Sequence, residues 1–152
     1  MSYTDAEARQ QLLDGLAKAT DDLGRALAAL AAAYEQLDEQ QADRLEEELF
    51  HPVQRAYGRA KRTHSEFGAR YGLGGRDFAM PSSGVPSTGV KGFVQDAVDA
   101  VERAEHELVA LQDSSIAIEV GDPDLRSGLS EVRRLIAGVS TQAHAFLRSF
   151  GR

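Results

Sequence analysis

Cysteine and tryptophan are absent from this chain, and only four of its 152 residues are proline. The lack of cysteine excludes disulfide scaffolds, thiol nucleophiles, iron–sulfur clusters and the usual structural zinc sites. Long hydrophobic runs are also lacking, because the longest, residues 26–33, is mostly alanine, whereas a membrane-spanning helix needs roughly 20 apolar residues. No charged-then-apolar leader opens the sequence. We therefore expect a cytoplasmic protein with no membrane partner.

Acidic residues outnumber basic ones. The chain has 17 Lys and Arg and 24 Asp and Glu, which gives a formal net charge of −7. An acidic chain disfavours nucleic acid as a partner, and the absence of tryptophan and of any nucleic-acid-binding motif agrees with this. Apolar residues make up 42% of the chain, which at this length is enough for one hydrophobic core. We therefore predict a single domain over residues 1–152.

Apolar residues recur at alternating steps of three and four in four segments of the chain. This spacing is typical of helices that pack against one another with a left-handed twist. It predicts helix A at about 4–36, helix B at about 39–71, helix C at about 89–113 and helix D at about 123–150. Because the lengths are well matched, we predict an all-α fold: an antiparallel four-helix bundle with heptad packing and one long loop, 72–88, between helices B and C.

Capping signals set the expected helix ends. Asp38 and Gln41 resemble a capping box that begins helix B, although one continuous helix to Phe50, broken at Pro52, is the alternative. In the first case Pro52 lies inside helix B and bends it. The other expected N-caps are Thr4 or Asp5 for helix A, Ser87 or Thr88 for helix C, and Asp122 for helix D.

The loop at 72–88 is rich in Gly, Pro and Ser, which predicts that it is not helical. It also contains Phe78, Met80 and Val85, which we expect to fold back onto apolar surface. Beyond helix C, the apolar stripe continues in phase to Ser115 and Ile118. We therefore expect both residues to lie on the packing seam.

One pair of residues has the spacing of a metal site. Glu48 and His51 form a Glu-x-x-His pair, which a ferritin-like di-metal carboxylate centre uses twice, together with further inward glutamates. The required partners are missing, because helix A has no acidic residue on its seam and Glu102 and Glu105 of helix C lie off theirs. We predict no metal, no cofactor and no enzymatic activity, and keep a ferritin-like metal–carboxylate protein only as an alternative.

His64 falls on the seam of helix B, one heptad from Tyr57 and another from Tyr71. Because the three side chains share a face, they form either a polar pocket that binds a small ligand or a structural layer that fixes the helix register. In both cases we expect tyrosine hydroxyls, or Thr20 or Ser115 from other helices, to satisfy a neutral imidazole. We favour the structural layer.

Positive charge is concentrated in the middle of the chain, where residues 51–91 hold seven basic and two acidic side chains. Arg55, Arg59 and Arg62 form a basic strip on one face of helix B. The strip either contacts an acidic partner or pairs with the acidic helices A and C, and we favour pairing. Glu107 is expected on the outward face of helix C.

Each predicted helix uses its apolar residues for packing against other helices. The sequence therefore predicts a non-enzymatic helical bundle that acts as a protein interaction or assembly module, through a protein partner or self-association. The alternative is a small-ligand-binding bundle whose pocket surrounds His64.

Overall fold

The structure is a computed structural model that describes residues 2–82 and 89–150. Within these ranges the protein is all-helical, with 85% of residues in helices and no strand, which confirms the prediction of an all-α fold. The helices are α1 (Ser2–Tyr34), α2 (Glu39–Leu45), a π-helical segment (Glu46–Phe50), α3 (His51–Arg70), α4 (Gly89–Asp113), α5 (Ser115–Val120), α6 (Pro123–Ile136) and α7 (Val139–Phe150). None of these helices has the length and apolar character that crossing a membrane requires.

The first corner of the chain lies where the capping residues predict it. Asp38 is the N-cap of α2, and its Oδ1 accepts a hydrogen bond of 2.8 Å from the backbone N–H of Gln41. The alternative of one continuous helix across this corner is therefore wrong. The predicted cap of helix A is also wrong, because α1 already includes Thr4 and Asp5.

Predicted helix B is divided by the π-helical segment, and Pro52 follows that segment. The N–H of His51 donates to the carbonyl of Glu46, five residues earlier instead of four. Pro52 has no N–H to donate, and it lies in the first turn of α3, where a helix tolerates proline. The structure thus has a π-helical turn directly before the position at which the sequence predicts a bend.

A glycine turn ends α3 and begins the long loop. Gly72 has a φ of 67°, in the left-handed region, and the N–H of Leu73 donates to the Gly68 carbonyl at 2.8 Å. Phe78 packs against the core, whereas Met80 is 51% exposed, so the expected burial of Met80 is wrong. The other residues on which predictions were made, Val85, Ser87 and Thr88, lie outside the described residues.

The helix is interrupted after α4, where the spacing of apolar residues predicts that it continues. α4 ends at Asp113, and Ser114 caps the short helix α5 by accepting from the N–H of Ala117 at 3.3 Å. Ser114 has extended backbone angles, so the helical periodicity of α4 does not continue into α5. Ser115 is exposed and Ile118 is 71% exposed, which makes their predicted place on the seam wrong.

Asp122 is the N-cap of α6, as the sequence predicts, and Pro123 occupies the first turn. The Oδ1 of Asp122 accepts from the N–H of Leu125 at 2.8 Å. Both of its carboxylate oxygens also accept from Arg70, at the end of α3, at 2.8 Å each. Predicted helix D is not continuous, because it is interrupted at Ala137 and Gly138 between α6 and α7.

The contacts between helices fix their relative directions. α1 contacts α4 and α3, α3 contacts α6, and α4 contacts α6 and α7. Lys18 lies opposite Glu107 and Asp22 lies opposite Arg103, so α1 and α4 run in opposite directions. Of the positions that the 3,4 spacing assigns to the core of α6 and α7, Phe150 is half-buried and the others are buried: Leu125, Leu129, Val132, Ile136, Val139, Ala143 and Phe146.

Ile136 is buried in α6, so Ile136→Ala is expected to lower the free energy of unfolding by about 2–4 kcal/mol. The same change at the exposed Ile118 is the matched control, and its effect should stay within about 0.5 kcal/mol. Denaturant unfolding followed by circular dichroism measures both effects. Equal midpoints for the two variants would show that the buried face of α6 is misassigned.

Candidate functional site

His64 is buried in α3, with 5% of its surface exposed. Its ring makes an edge-on contact with the Phe78 ring of the loop, at 5.2 Å between centroids, and is hydrogen-bonded to the backbone of Leu13 in α1. Burial lowers the pKa of His64 below its usual value, and the positive charge of Arg76 acts in the same direction. Asp14 and the hydrogen bond to Leu13 oppose this shift without reversing it.

The structure does not bring Tyr57 and Tyr71 to His64 as hydrogen-bond partners. The hydroxyl of Tyr71 donates to Oδ2 of Asp122 at 2.9 Å, and the ring of Tyr57 lies beside the Lys61 ammonium, 4.5 Å from its centroid. Of the two other expected partners, Thr20 donates its hydroxyl to a carbonyl of its own helix, and Ser115 is exposed. Phe78, which the sequence places only in the loop, supplies the neighbouring ring instead.

Acidification is expected to destabilise the protein through His64. Because its pKa is lower in the folded than in the unfolded protein, the unfolded chain binds the extra proton as the pH falls below about 6.5. His64→Gln should therefore reduce the loss of unfolding free energy between pH 7.5 and pH 5.5, whereas His144→Gln, at an exposed histidine, should not. Denaturant titrations at the two pH values test this. A loss that is equal in all three proteins would remove His64 as its source.

The predicted basic strip is partly used inside the protein. Arg59 pairs with Glu131 of α6, at 3.0 Å between Nε and Oε2, and this contact lowers the pKa of Glu131. Arg62 is 3.9 Å from Glu66, while Arg55 is exposed and makes no ion pair within the described residues. The prediction that Arg59 pairs with the acidic helices A and C is wrong, because α6 packs against this face of α3.

The Glu48–His51 pair does not bind one common partner. Glu48 is 3.4 Å from Arg44, and His51 is 3.4 Å from Glu46. In the ranges 2–82 and 89–150, no group of three or more His, Asp or Glu side chains is arranged to hold a metal ion.

A charged groove lies between α1 and α4, and the sequence does not predict it. The groove has a volume of about 750 Å³ and is open to solvent. Its lining residues are Lys18, Asp21, Asp22, Arg25, Asp99, Glu102, Arg103, His106 and Glu107. They all belong to α1 and α4.

Two carboxyl groups lie at the base of this groove, one from each helix. The Asp22 side chain is 5% exposed, and its Oδ1 accepts from Nη1 of Arg25 at 2.6 Å and from Nε of Arg103 at 3.5 Å. Glu107 is 18% exposed, and neither of its carboxyl oxygens has a hydrogen-bond donor within the described residues. The nearest ammonium, that of Lys18, is 3.9 Å from Oε2.

Glu107 is held in an environment that favours its protonated form. Burial raises the pKa of Glu107 to about 7, and the adjacent Asp22 carboxyl acts in the same direction. Lys18 and Arg103 oppose this shift. The expected outward position of Glu107 is therefore wrong. Its neighbour in the chain, Leu108, is fully buried, and α1 approaches α4 closely enough to cover the flanking residue as well.

Three exposed carboxylates continue along the edge of the groove on α4: Asp96, Asp99 and Glu102, which we call the acidic row. Asp99 accepts from the Gln95 amide at 3.0 Å, and Glu102 accepts from the Ser140 hydroxyl at 3.1 Å. These donors are neutral. No member of the acidic row makes an ion pair within the part of the chain that the structure describes.

A second cavity, of about 270 Å³, extends the groove towards the loop. It shares Arg25, Asp99 and Arg103 with the first cavity and ends at Pro81 and Ser82. The two cavities and the acidic row thus form one elongated surface along α1 and α4.

Comparison of the chain with protein-family models, curated protein sequences and solved structures gives no match. The chemistry of this surface is therefore the basis on which a function can be assigned. The surface offers several carboxylates that lack a cationic partner, next to a few fixed guanidinium groups. Such an arrangement can bind cationic groups and select their spacing.

Proposed function

We propose that this protein is a non-enzymatic interaction module whose α1–α4 groove binds a Lys- or Arg-rich segment of a protein partner. The scaffold that we propose is an antiparallel four-helix bundle with heptad packing. The opposite directions of α1 and α4 support it, as do the buried positions at steps of three and four in α6 and α7. The proposed partner is neither nucleic acid nor membrane, and the proposed compartment is the cytoplasm.

The observation that carries this proposal is the acidic row. Its three carboxylates lie at steps of three residues on one helix, so they occupy one face and span about 9 Å. Some carboxylates elsewhere on the surface are neutralised, since Asp21 pairs with Arg76 at 2.9 Å and Glu131 pairs with Arg59. Those of the row remain available to an incoming ammonium or guanidinium group.

The charges around the row favour an extended basic segment over a single small cation. The row lines both cavities of the groove, so one ligand group fills only a part of it. Arg25 and Arg103 repel cations at their own positions, which sets where the positive residues of a partner can lie. The net charge of −7 attracts such a segment from a distance.

Removing the charge of the row is expected to weaken binding of an arginine-rich nonapeptide about tenfold at low salt, which corresponds to a few exposed charge pairs. The test variant is Asp96→Asn/Asp99→Asn/Glu102→Gln. A matched control, Glu39→Gln/Asp43→Asn/Glu47→Gln, removes three exposed charges from one face of α2 and the π-helical segment. Calorimetry gives the affinities, and peptide-induced NMR shifts locate the site.

If the test and control variants weaken peptide binding equally, the peptide recognises only the net charge of the protein, and the groove is not its binding site.

Native mass spectrometry of protein from its host then identifies the partner. If the partner is a second copy, the basic residues would come from the strip at Arg55 and Arg62, and Arg55→Gln/Arg62→Gln should abolish the dimer. A partner without a basic segment at the contact would contradict the proposal.

A further inference from the structure

We propose that Asp22 and Glu107 share a proton across the α1–α4 interface and form a pH-sensitive joint between these helices. The two half-buried or buried carboxyl groups line the same groove from different helices and lie within hydrogen-bonding reach of each other. The oxygens of Glu107 are buried and have no donor among the described residues. A buried polar atom without a partner is costly, and a proton on Glu107 removes that cost because the acid can then donate to Asp22.

Asp22 is suited to be the acceptor of this pair. Its carboxylate already accepts from Arg25 of its own helix and from Arg103 of α4. These two guanidinium groups stabilise one negative charge at this point. Both contact Asp22, and of the two only Arg103 also favours a negative charge on Glu107.

Several other charged or titratable side chains line the groove together with Asp22 and Glu107. They are Lys18, Asp21 and Arg25 from α1, and Asp99, Glu102, Arg103 and His106 from α4. Lys18 is 77% exposed and lies 3.9 Å away, so water screens its interaction with the carboxyl group. The lining of the groove includes no residue of α5, α6 or α7.

Loss of the proton changes the contact between the helices. It breaks the carboxyl hydrogen bond and places two carboxylates side by side in a half-buried site, which pushes α1 and α4 apart. The pKa of Glu107 is raised from its usual 4.5 to about 7, so the folded protein binds more protons than the unfolded chain between these values. The stability contributed by the joint therefore falls as the pH rises through this interval.

Glu107→Gln is the decisive variant, because its amide can donate to Asp22 at every pH. Denaturant midpoints are measured from pH 5 to pH 8 for the natural protein, Glu107→Gln and the control Glu102→Gln, an exposed glutamate of the same helix. Relative to Glu107→Gln, the natural protein should lose stability towards pH 8. The control should follow the natural protein. His64 is present in all three proteins, so its opposite pH dependence cancels in the differences.

The carboxyl carbon of Glu107 provides a direct measurement in the unaltered protein, independent of whether the variant folds. Its ¹³C chemical shift should titrate near pH 7, and Asp22→Asn should move that midpoint towards 4.5. A midpoint near 4.5 in the natural protein would overturn the proposal, as would parallel stability curves for the natural protein and Glu107→Gln. Neither measurement requires a partner, so the outcome is separate from that of the proposed function.

Discussion

The close approach of α1 to α4 is the contact on which the surface chemistry of this protein depends. The buried side chains of the two helices include the small residues Ala19 and Ala26 of α1 and Ala104 of α4. At one end the helices are so near that a Cβ atom on Gly15 would lie 2.6 Å from Leu111. Small side chains allow short distances between helix axes. Residues that would be solvent-exposed in a looser pair are consequently half-buried.

This close packing explains why charged groups form a joint in the interface instead of a solvated surface. Asp22 and Glu107 flank the apolar seam, and the short distance between the helices leaves their carboxyl groups little water. Acidic residues further along the groove, such as Asp99, remain exposed. The same groove therefore combines a desolvated base, whose charge depends on the pH, with a solvent-exposed acidic edge.

The sequence predicts what depends on local rules and misses what depends on distances between helices. Helical periodicity indicates the all-α fold, and the caps at Asp38 and Asp122 are recognisable because a carboxylate precedes each helix by a fixed number of residues. The contact of Phe78 with His64 requires the path of a loop, and the burial of Glu107 requires the spacing of α1 from α4. Neither quantity is encoded in the spacing of apolar residues along one helix.

Asp122 connects helix initiation with tertiary contact. The same carboxylate caps the start of α6 and accepts hydrogen bonds from Arg70 and Tyr71 at the end of α3. An N-cap normally stabilises its own helix alone, but here fraying of α3 would also withdraw the groups that hold the capping residue in place. The end of one helix and the beginning of another thus belong to a single cooperative unit, which opens or closes as a whole.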